Sequence, residues 1–138
     1  MRRPLVDINV LLDVLAQRDP FYEVASEIFT AAETGVIEGL VSADSFSTLY
    51  YLHSRITSVQ KAKADLARVL NVFRVVDLSE QVLRQTLDSP VRDFEAAIQY
   101  HSALHGEADC IVTRDLRHFK NVTLPVYSPE LFLDTQEV

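Results

Sequence analysis

Residues 5–16 read LVDINVLLDVLA, a short apolar run that ends at Asp7 and continues directly into a segment with helical periodicity. A second run has the same arrangement far along the chain, where residues 108–115 read ADCIVTRD and end at Asp115. In open α/β sheets, ligands bind outside the carboxyl ends of the parallel strands. We therefore predict that the two aspartates form one acidic site, assembled from the two ends of the chain.

The length and composition indicate one globular domain over residues 1–138, with 48% apolar residues. No apolar run reaches the roughly 18 residues that a membrane helix needs. The first residues, MRRP, lack the apolar core of a signal peptide. We therefore expect a cytoplasmic protein that does not contact a membrane. The single cysteine, Cys110, lies in an apolar strand and is predicted to pack there rather than to carry redox chemistry.

The charge balance narrows the classes of partner. The chain has 13 basic and 20 acidic residues, which give a formal net charge of −7. This balance argues against the broad basic surface of proteins that bind nucleic acid tightly. It leaves a nucleic-acid substrate possible, because acids that bind Mg²⁺ add to the negative total and the metal then supplies positive charge to a phosphate.

The chain alternates between helical and strand patterns. Strands are predicted at 4–7, 40–42, 73–76, 110–113 and 126–127, and helices at 9–17, 21–34, 44–56, 59–70, 79–87, 93–105 and 129–133. Strands that are separated by helices form βαβ units. The pattern therefore predicts an α/β fold with a short, mostly parallel central sheet.

Missing motifs exclude several kinds of site. The three glycines do not form a dinucleotide-binding turn or a phosphate-binding P-loop. One cysteine and four scattered histidines do not have the spacing of a zinc site. His101 and His105 are four residues apart on a predicted helix, but packing or capping is favoured over a ligand pair. No serine occupies a nucleophile elbow. A carboxylate site remains.

Five segments carry a resemblance to a known family. They are VDINVLLD at 6–13, VSADSFSTLYY at 41–51, RDFEAAIQY at 92–100, IVTRD at 111–115 and LPVYSPE at 124–130. Together and in this order, they resemble the PIN domain family, and the chain is similar to the virulence-associated protein C toxins. The resemblance implies a three-layer α/β/α fold and a metal-dependent endoribonuclease that hydrolyses RNA phosphodiester bonds.

The resemblance also implies the cofactor and the partners. Members of the family hold one or two Mg²⁺ or Mn²⁺ ions in a pocket of acids. Such ions make water nucleophilic and relieve negative charge on the phosphate, and Mg²⁺ needs only one or two protein carboxylates. Similarity to toxins implies that the chain is the toxin of a toxin–antitoxin pair, with an antitoxin partner and a homodimer packed through helices.

The motifs place individual residues in the family pattern. Asp7 matches the first acid, Asp115 matches the last, and Asn9 matches the small polar residue that accompanies the first. Thr48 stands where the second acid is usual, and Arg114 lies beside the last acid. We assign Asp7 and Asp115 to the metal, and Asn9, Thr48 and Arg114 to supporting or substrate contacts.

The third acid of the pattern is also absent, since Ala96 occupies its place. Asp93 precedes Ala96 by three residues, so both lie on one face of a helix, and Asp93 is predicted to be the substitute metal ligand. Glu95 is predicted to point about a hundred degrees away. His118 stands near Asp115 where an Asp preceding Phe119 is often found.

Each assignment has an alternative. Asp7, Asp93 and Asp115 could each cap the helix that follows. For Asp13, Asp44 and Asp109, surface or capping roles are favoured. At the level of function, the missing acids leave open a degenerate PIN domain that binds RNA or a protein partner without catalysis. A small phosphatase or other metal hydrolase on a similar sheet is a third alternative.

Overall fold

The computed structural model of this chain describes residues 1–136. The strands are β1 Pro4–Val6, β2 Leu40–Ser42, β3 Arg74–Val76, β4 Cys110–Val112 and β5 Val126–Tyr127. The helices are α1 Ile8–Leu15, α2 Tyr22–Glu33, α3 Ser45–Ile56, α4 Val59–Val72, α5 Glu80–Leu87, α6 Phe94–His105 and α7 Pro129–Gln136, with a 3-10 helix at Leu116–Phe119. Every predicted element is present within a few residues of its predicted ends. The 3-10 helix was not predicted, and the last two positions of the predicted domain lie outside the described residues.

The five strands form one parallel sheet in the order β3-β2-β1-β4-β5. From β1 the chain adds β2 and β3 on one side, and then crosses over to add β4 and β5 on the other. The strand order therefore reverses between β1 and β4. In doubly wound sheets this reversal opens a crevice at the carboxyl ends of the two strands.

The sheet separates two apolar cores, which gives the predicted three-layer α/β/α architecture. On one face, helices α1, α2, α3, α4 and α7 contact one another and pack with Val6 of β1. On the other face, α6 packs with Leu5 of β1, and α5 packs against α6. All three residues of β1, β2 and β4 are buried, as expected of apolar strands covered by helices on both faces.

Side-chain caps fix several helix starts. Ser58, Ser79 and Asp93 accept hydrogen bonds from backbone N–H groups in the first turns of α4, α5 and α6, which would otherwise have no partner. At its other end α6 approaches β3 closely, since a Cβ on Gly106 would lie 2.6 Å from Cγ2 of Val76. In residues 1–136, no helix combines the length and the apolar character that a membrane crossing requires.

An ion pair ties α1 to the loop after β4. Asp13 is 1% exposed, and its carboxylate accepts hydrogen bonds from Nε and Nη2 of Arg114 at 2.6 and 3.2 Å and from Nε of Arg18 at 3.0 Å. The guanidinium of Arg114 also lies 3.8 Å from the centre of the Phe21 ring. The surface or capping role predicted for Asp13 is wrong, because its carboxylate is buried and pairs with two guanidinium groups. Their positive charges compensate the cost of removing the carboxylate from water.

We expect Asp13→Asn to lower the free energy of unfolding by about 2 kcal/mol, because a hydrogen bond to a charged group contributes roughly 1.5–3 kcal/mol. Urea unfolding followed by circular dichroism measures the change. Asp134→Asn, at an exposed position of α7, is the matched control and should shift the midpoint little. An equal, small shift in both variants would contradict a stabilising role for this ion pair.

Candidate active site

Asp7 lies at the carboxyl end of β1, beside β4. Its N–H donates to the carbonyl oxygen of Val112 at 2.9 Å, which extends the pairing of the two strands by one residue. Oδ1 accepts a hydrogen bond from the N–H of Ile8 at 2.7 Å, and Oδ2 accepts one from Oγ1 of Thr113 at 2.7 Å. The carboxylate is therefore fixed from both strand ends.

Thr113 is the centre of this network. Its side chain is fully buried, and while it donates to Asp7, Oγ1 accepts from the N–H of Asp115 at 2.9 Å and from Nδ2 of Asn9 at 3.4 Å. The N–H of Arg114 donates to Oδ1 of Asn9 at 3.4 Å. One hydroxyl thus connects Asp7, Asn9 and Asp115. The sequence did not single out Thr113, although its place between β4 and Asp115 was visible.

Three residues of this network, Asp7, Asn9 and Asp115, line a cleft of about 190 Å³ at the ends of β1 and β4. Asp7, Asp93 and Asp115, which we predicted to hold the metal, all lie on its wall. Asn9 and Thr48, which we predicted to support it, lie there too. The remaining lining residues are Ile8, Asp44, Glu95, Ala96, Gln99, His118 and Phe119.

Asp93 caps α6 and also lines the cleft, where its predicted metal role stays a prediction. Oδ1 caps α6 by accepting a hydrogen bond from the N–H of Ala96 at 2.9 Å. Oδ2 faces His118, whose Nδ1 lies 3.9 Å away. The same nitrogen lies 2.9 Å from Oδ2 of Asp115. The imidazole of His118 therefore stands between two of the predicted metal-binding carboxylates, at the position where the family pattern often has an acid.

Two further acids line the cleft against our expectation. Glu95 was predicted to point away, but it lies in the first turn of α6, where the cleft opens, and its charge acts on Asp7. Asp44 was predicted to be a cap or a surface residue, but its side chain makes no capping hydrogen bond at the start of α3 and lines the cleft instead. Helical angles alone did not show where the cleft lies.

Other predicted residues have different surroundings. The guanidinium of Arg114 is held by Asp13 and does not line the cleft, so the substrate contact expected of it has no support from this geometry. Asp109 accepts a hydrogen bond from the N–H of Arg3 at 2.8 Å, in keeping with a surface role. Nε2 of His105 pairs with Oε1 of Gln85 at 2.8 Å. Burial raises the pKa of the Cys110 thiol to about 12, as expected of a packed cysteine.

Burial and the charges of neighbouring acids both act on the carboxyl group of Asp7. Burial raises the pKa of this carboxyl above its ordinary value. The hydrogen bonds from Thr113 and from the N–H of Ile8 lower the pKa, whereas the negative charges of Asp115 and Glu95 raise it further. The balance is upward, which means that the ionised form of Asp7 is destabilised. A cation bound in the cleft would stabilise the ionised form of Asp7.

The oxygen donors of the cleft fit a hard divalent cation. Among residues 1–136, no three His, Cys, Asp or Glu side chains already surround a single point as a closed metal site would. Mg²⁺ does not require such a set, because it keeps several waters and binds one or two protein carboxylates. A further oxygen is at hand, since Oε1 of Gln99 is buried and has no hydrogen-bond partner among the described residues. Nε2 of Gln99 is held by Ser42 and Ser45 at 2.8 and 3.2 Å.

Known proteins of similar sequence and structure share this fold. Ribonuclease VapC1 of Aquifex aeolicus (strain VF5) is 23% identical to this chain over 134 residues, which cover 94% of this chain and 92% of the relative. The DNA-bound VapBC structure from Salmonella typhimurium matches with a TM-score of 0.69 and 16% identity, over 94% of this chain and 99% of that one.

Mycobacterium tuberculosis VapC20, described as a Sarcin-Ricin loop cleaving toxin, matches with a TM-score of 0.64 and 15% identity, over 78% of this chain and 85% of that one. At these identities the solved structures show a shared fold. The family model described as a PIN domain matches residues 3–117. Since this match covers most of the chain and includes the acids at both strand ends, the protein belongs to the PIN domain family.

Proposed function

We propose that this protein is a metal-dependent endoribonuclease that hydrolyses RNA phosphodiester bonds, with Asp7, Asp93 and Asp115 as the ligands of Mg²⁺ or Mn²⁺. The observation that carries the proposal is that these three carboxylates line one cleft, at the place where the strand order of the sheet reverses. Membership of the PIN family and similarity to a protein named a ribonuclease support it.

The roles of the chain's own residues follow from the hydrogen bonds. Thr113 and the N–H of Ile8 hold the Asp7 carboxylate in one orientation, and Thr113 fixes the backbone of Asp115. Asn9 is held between Thr113 and Arg114. A bound divalent ion would supply a nucleophilic water and neutralise charge on the phosphate. A site whose supporting residues are already in place loses little energy to reorganisation during the reaction.

The partners follow from the same comparisons. We propose that the protein is the toxin of a toxin–antitoxin pair, because the solved structures that share its fold include VapBC complexes and a toxin–antitoxin complex from Klebsiella pneumoniae. We also propose a homodimer. Tyr51 and Ile56 expose apolar surface on α3, which is suited to contact with a second copy.

A catalytically inactive PIN domain that binds RNA or a protein is the second candidate. Ala96 and Thr48 favour it, since both stand in the cleft where the family pattern has acids. Asp44, Asp93 and Glu95 weigh against it, because they return acidic side chains to the same cleft.

The direct test is cleavage of a mixed-sequence RNA in the presence of Mg²⁺ or Mn²⁺. We expect the unaltered protein to cleave it, and we expect Asp7→Asn and Asp115→Asn to cleave it slower by a factor on the order of 100, because each removes a charge that would bind the metal. Asp134→Asn removes an acid outside the cleft and should retain full activity. Equal rates for all four proteins would assign the cleavage to a contaminant and contradict the proposal.

Metal uptake separates the active from the inactive candidate. Titration with Mn²⁺ in a calorimeter should show saturable binding to the unaltered protein and much weaker binding to Asp7→Asn and Asp93→Asn. Glu130→Gln, on the exposed start of α7, should bind Mn²⁺ as the parent does. If the unaltered protein takes up no Mn²⁺ while RNA still binds, the inactive candidate is correct.

The raised pKa of Asp7 gives a prediction about stability. A carboxyl whose pKa is higher in the folded than in the unfolded state costs stability as the pH rises from its ordinary value of 3.8 through the raised value. Asparagine caps helices as well as aspartate does, and its amide NH₂ would donate to Oγ1 of Thr113 where the carboxylate accepts from it. We therefore expect Asp7→Asn to unfold at a higher urea concentration than the parent near neutral pH without metal, with the difference disappearing as the pH falls towards 4.

Saturating Mn²⁺ should reverse this order, because a ligand that binds only the folded state adds about 2.7 kcal/mol at a concentration one hundred times its dissociation constant. Only the parent would gain this stabilisation. A parent that is more stable than Asp7→Asn in metal-free buffer at every pH would show that Asp7 is present for capping alone.

A further inference from the structure

A second groove lies at the first turn of α6. It lies between the end of α5 and the start of α6, has a volume of about 350 Å³, and includes Leu87, Pro90, Arg92 and Phe94 in its lining. Phe94 is flanked in the chain by Asp93 and Glu95, which line the acidic cleft. The linings of the cleft and of the groove therefore alternate along residues 92–97, although no residue lines both.

Phe94 is an aromatic residue that the packing of the protein does not use. Its side chain is 53% exposed, and Phe94 belongs to neither apolar core. By contrast, Phe29, Phe73 and Phe132 are buried in the core beneath α2. An exposed ring in a groove offers a flat π-face, on which any nucleobase can stack.

Of residues 1–136, Arg92 is the one charged residue that lines the groove, and it is suited to contact with a phosphate. The guanidinium of Arg92 is exposed and has no ion pair or hydrogen bond among the described residues, although the chain as a whole is acidic. Arg117 is also exposed, and its Nε lies 3.9 Å from Oδ1 of Asp115. Both basic groups are available to the phosphates of a strand that continues beyond the cleft.

We propose that the groove beside Phe94 binds one unpaired base of a single-stranded RNA, stacked on the Phe94 ring, while Arg92 contacts the phosphate of the same nucleotide. The inference rests on the proposed RNA substrate and extends it by naming a subsite next to the cleft. The cleft, at about 190 Å³ and lined by acids, is suited to a metal ion and one phosphate. The larger groove, at about 350 Å³, is suited to a base.

Tryptophan fluorescence tests the stacking contact. The chain contains no tryptophan, so Phe94→Trp places a single reporter in the groove. In an Asp7→Asn background with Mg²⁺, titration with a ten-nucleotide oligouridylate should quench this fluorescence to saturation. Leu131→Trp, an exposed position on α7, is the matched control and should not be quenched. Equal quenching of both reporters would indicate non-specific contact and overturn the subsite.

Substitutions separate stacking from apolar contact. Fluorescence anisotropy with a labelled oligouridylate should show about a tenfold loss of affinity for Phe94→Leu, which keeps apolar bulk but has no π-face, because stacking on an aromatic side chain contributes roughly 1–3 kcal/mol per base. Phe94→Tyr should bind as the parent does. An unchanged dissociation constant for Phe94→Leu would overturn the inference.

Salt dependence tests Arg92. Arg92→Gln should weaken binding and reduce the magnitude of the slope of log K against log salt by about 0.7, as expected for one lost phosphate contact to a single strand. Lys63→Gln removes an exposed charge on α4, in the layer on the opposite face of the sheet, and should leave the slope unchanged. Equal slopes for Arg92→Gln and the parent would overturn the phosphate contact.

The base subsite and the hydrolysis of RNA can fail independently in these experiments. Cleavage of RNA by the unaltered protein, combined with an unchanged affinity of Phe94→Leu, would overturn the subsite alone. Saturable quenching of Phe94→Trp without any cleavage would overturn the hydrolysis and keep the subsite. Sedimentation velocity tests whether a second copy of the chain occupies the groove instead. If Phe94→Leu converts a dimer to a monomer and RNA affinity does not fall, the groove binds a second copy.

Discussion

The pairing of β1 with β4 is the constraint on which the site depends. Leu5 pairs with Ile111 and Val6 with Val112, so the residues that follow both strands emerge together at one edge of the sheet. The Thr113 hydroxyl then joins Asp7 to the backbone of Asp115. A parallel sheet with apolar strands buried on both faces tolerates no shift of register, because a slip of one residue would move buried side chains to the wrong face.

The acidic cleft lowers the stability of the folded protein. The sheet edge gathers five carboxylates around one small cleft, and burial together with neighbouring charge raises the pKa of Asp7. Around the cleft the protein adds compensating contacts, such as the cap that Asp93 provides to α6 and the buried pairing of Asp13 with Arg114. Sites that break the rules of local stability for the sake of chemistry are commonly supported in this way by their surroundings.

The sequence predicted the parts that depend on local pattern. Apolar runs ending in Asp7 and Asp115 were enough to place both acids at one sheet edge, because strands separated by helices are parallel. The partners of side chains depend on distant segments and were not predictable. Asp13 lies on α1, but Arg114, which neutralises it, comes a hundred residues later in the chain. Glu95 was misplaced because a helical angle gives direction only relative to the helix, and the position of α6 against the sheet decides where the cleft lies.

The order of the strands has a consequence for biosynthesis. The cleft takes Asp7 from the first strand, the start of α6 from late in the chain and Asp115 from beyond the fourth strand, so a polypeptide that is still emerging from the ribosome cannot assemble it. Prematurely terminated products that lack β4 have no partner for the Asp7 carboxylate at Thr113. This topology delays activity during translation, because the cleft can form only after the segment that carries Asp115 has left the ribosome and has folded against β1.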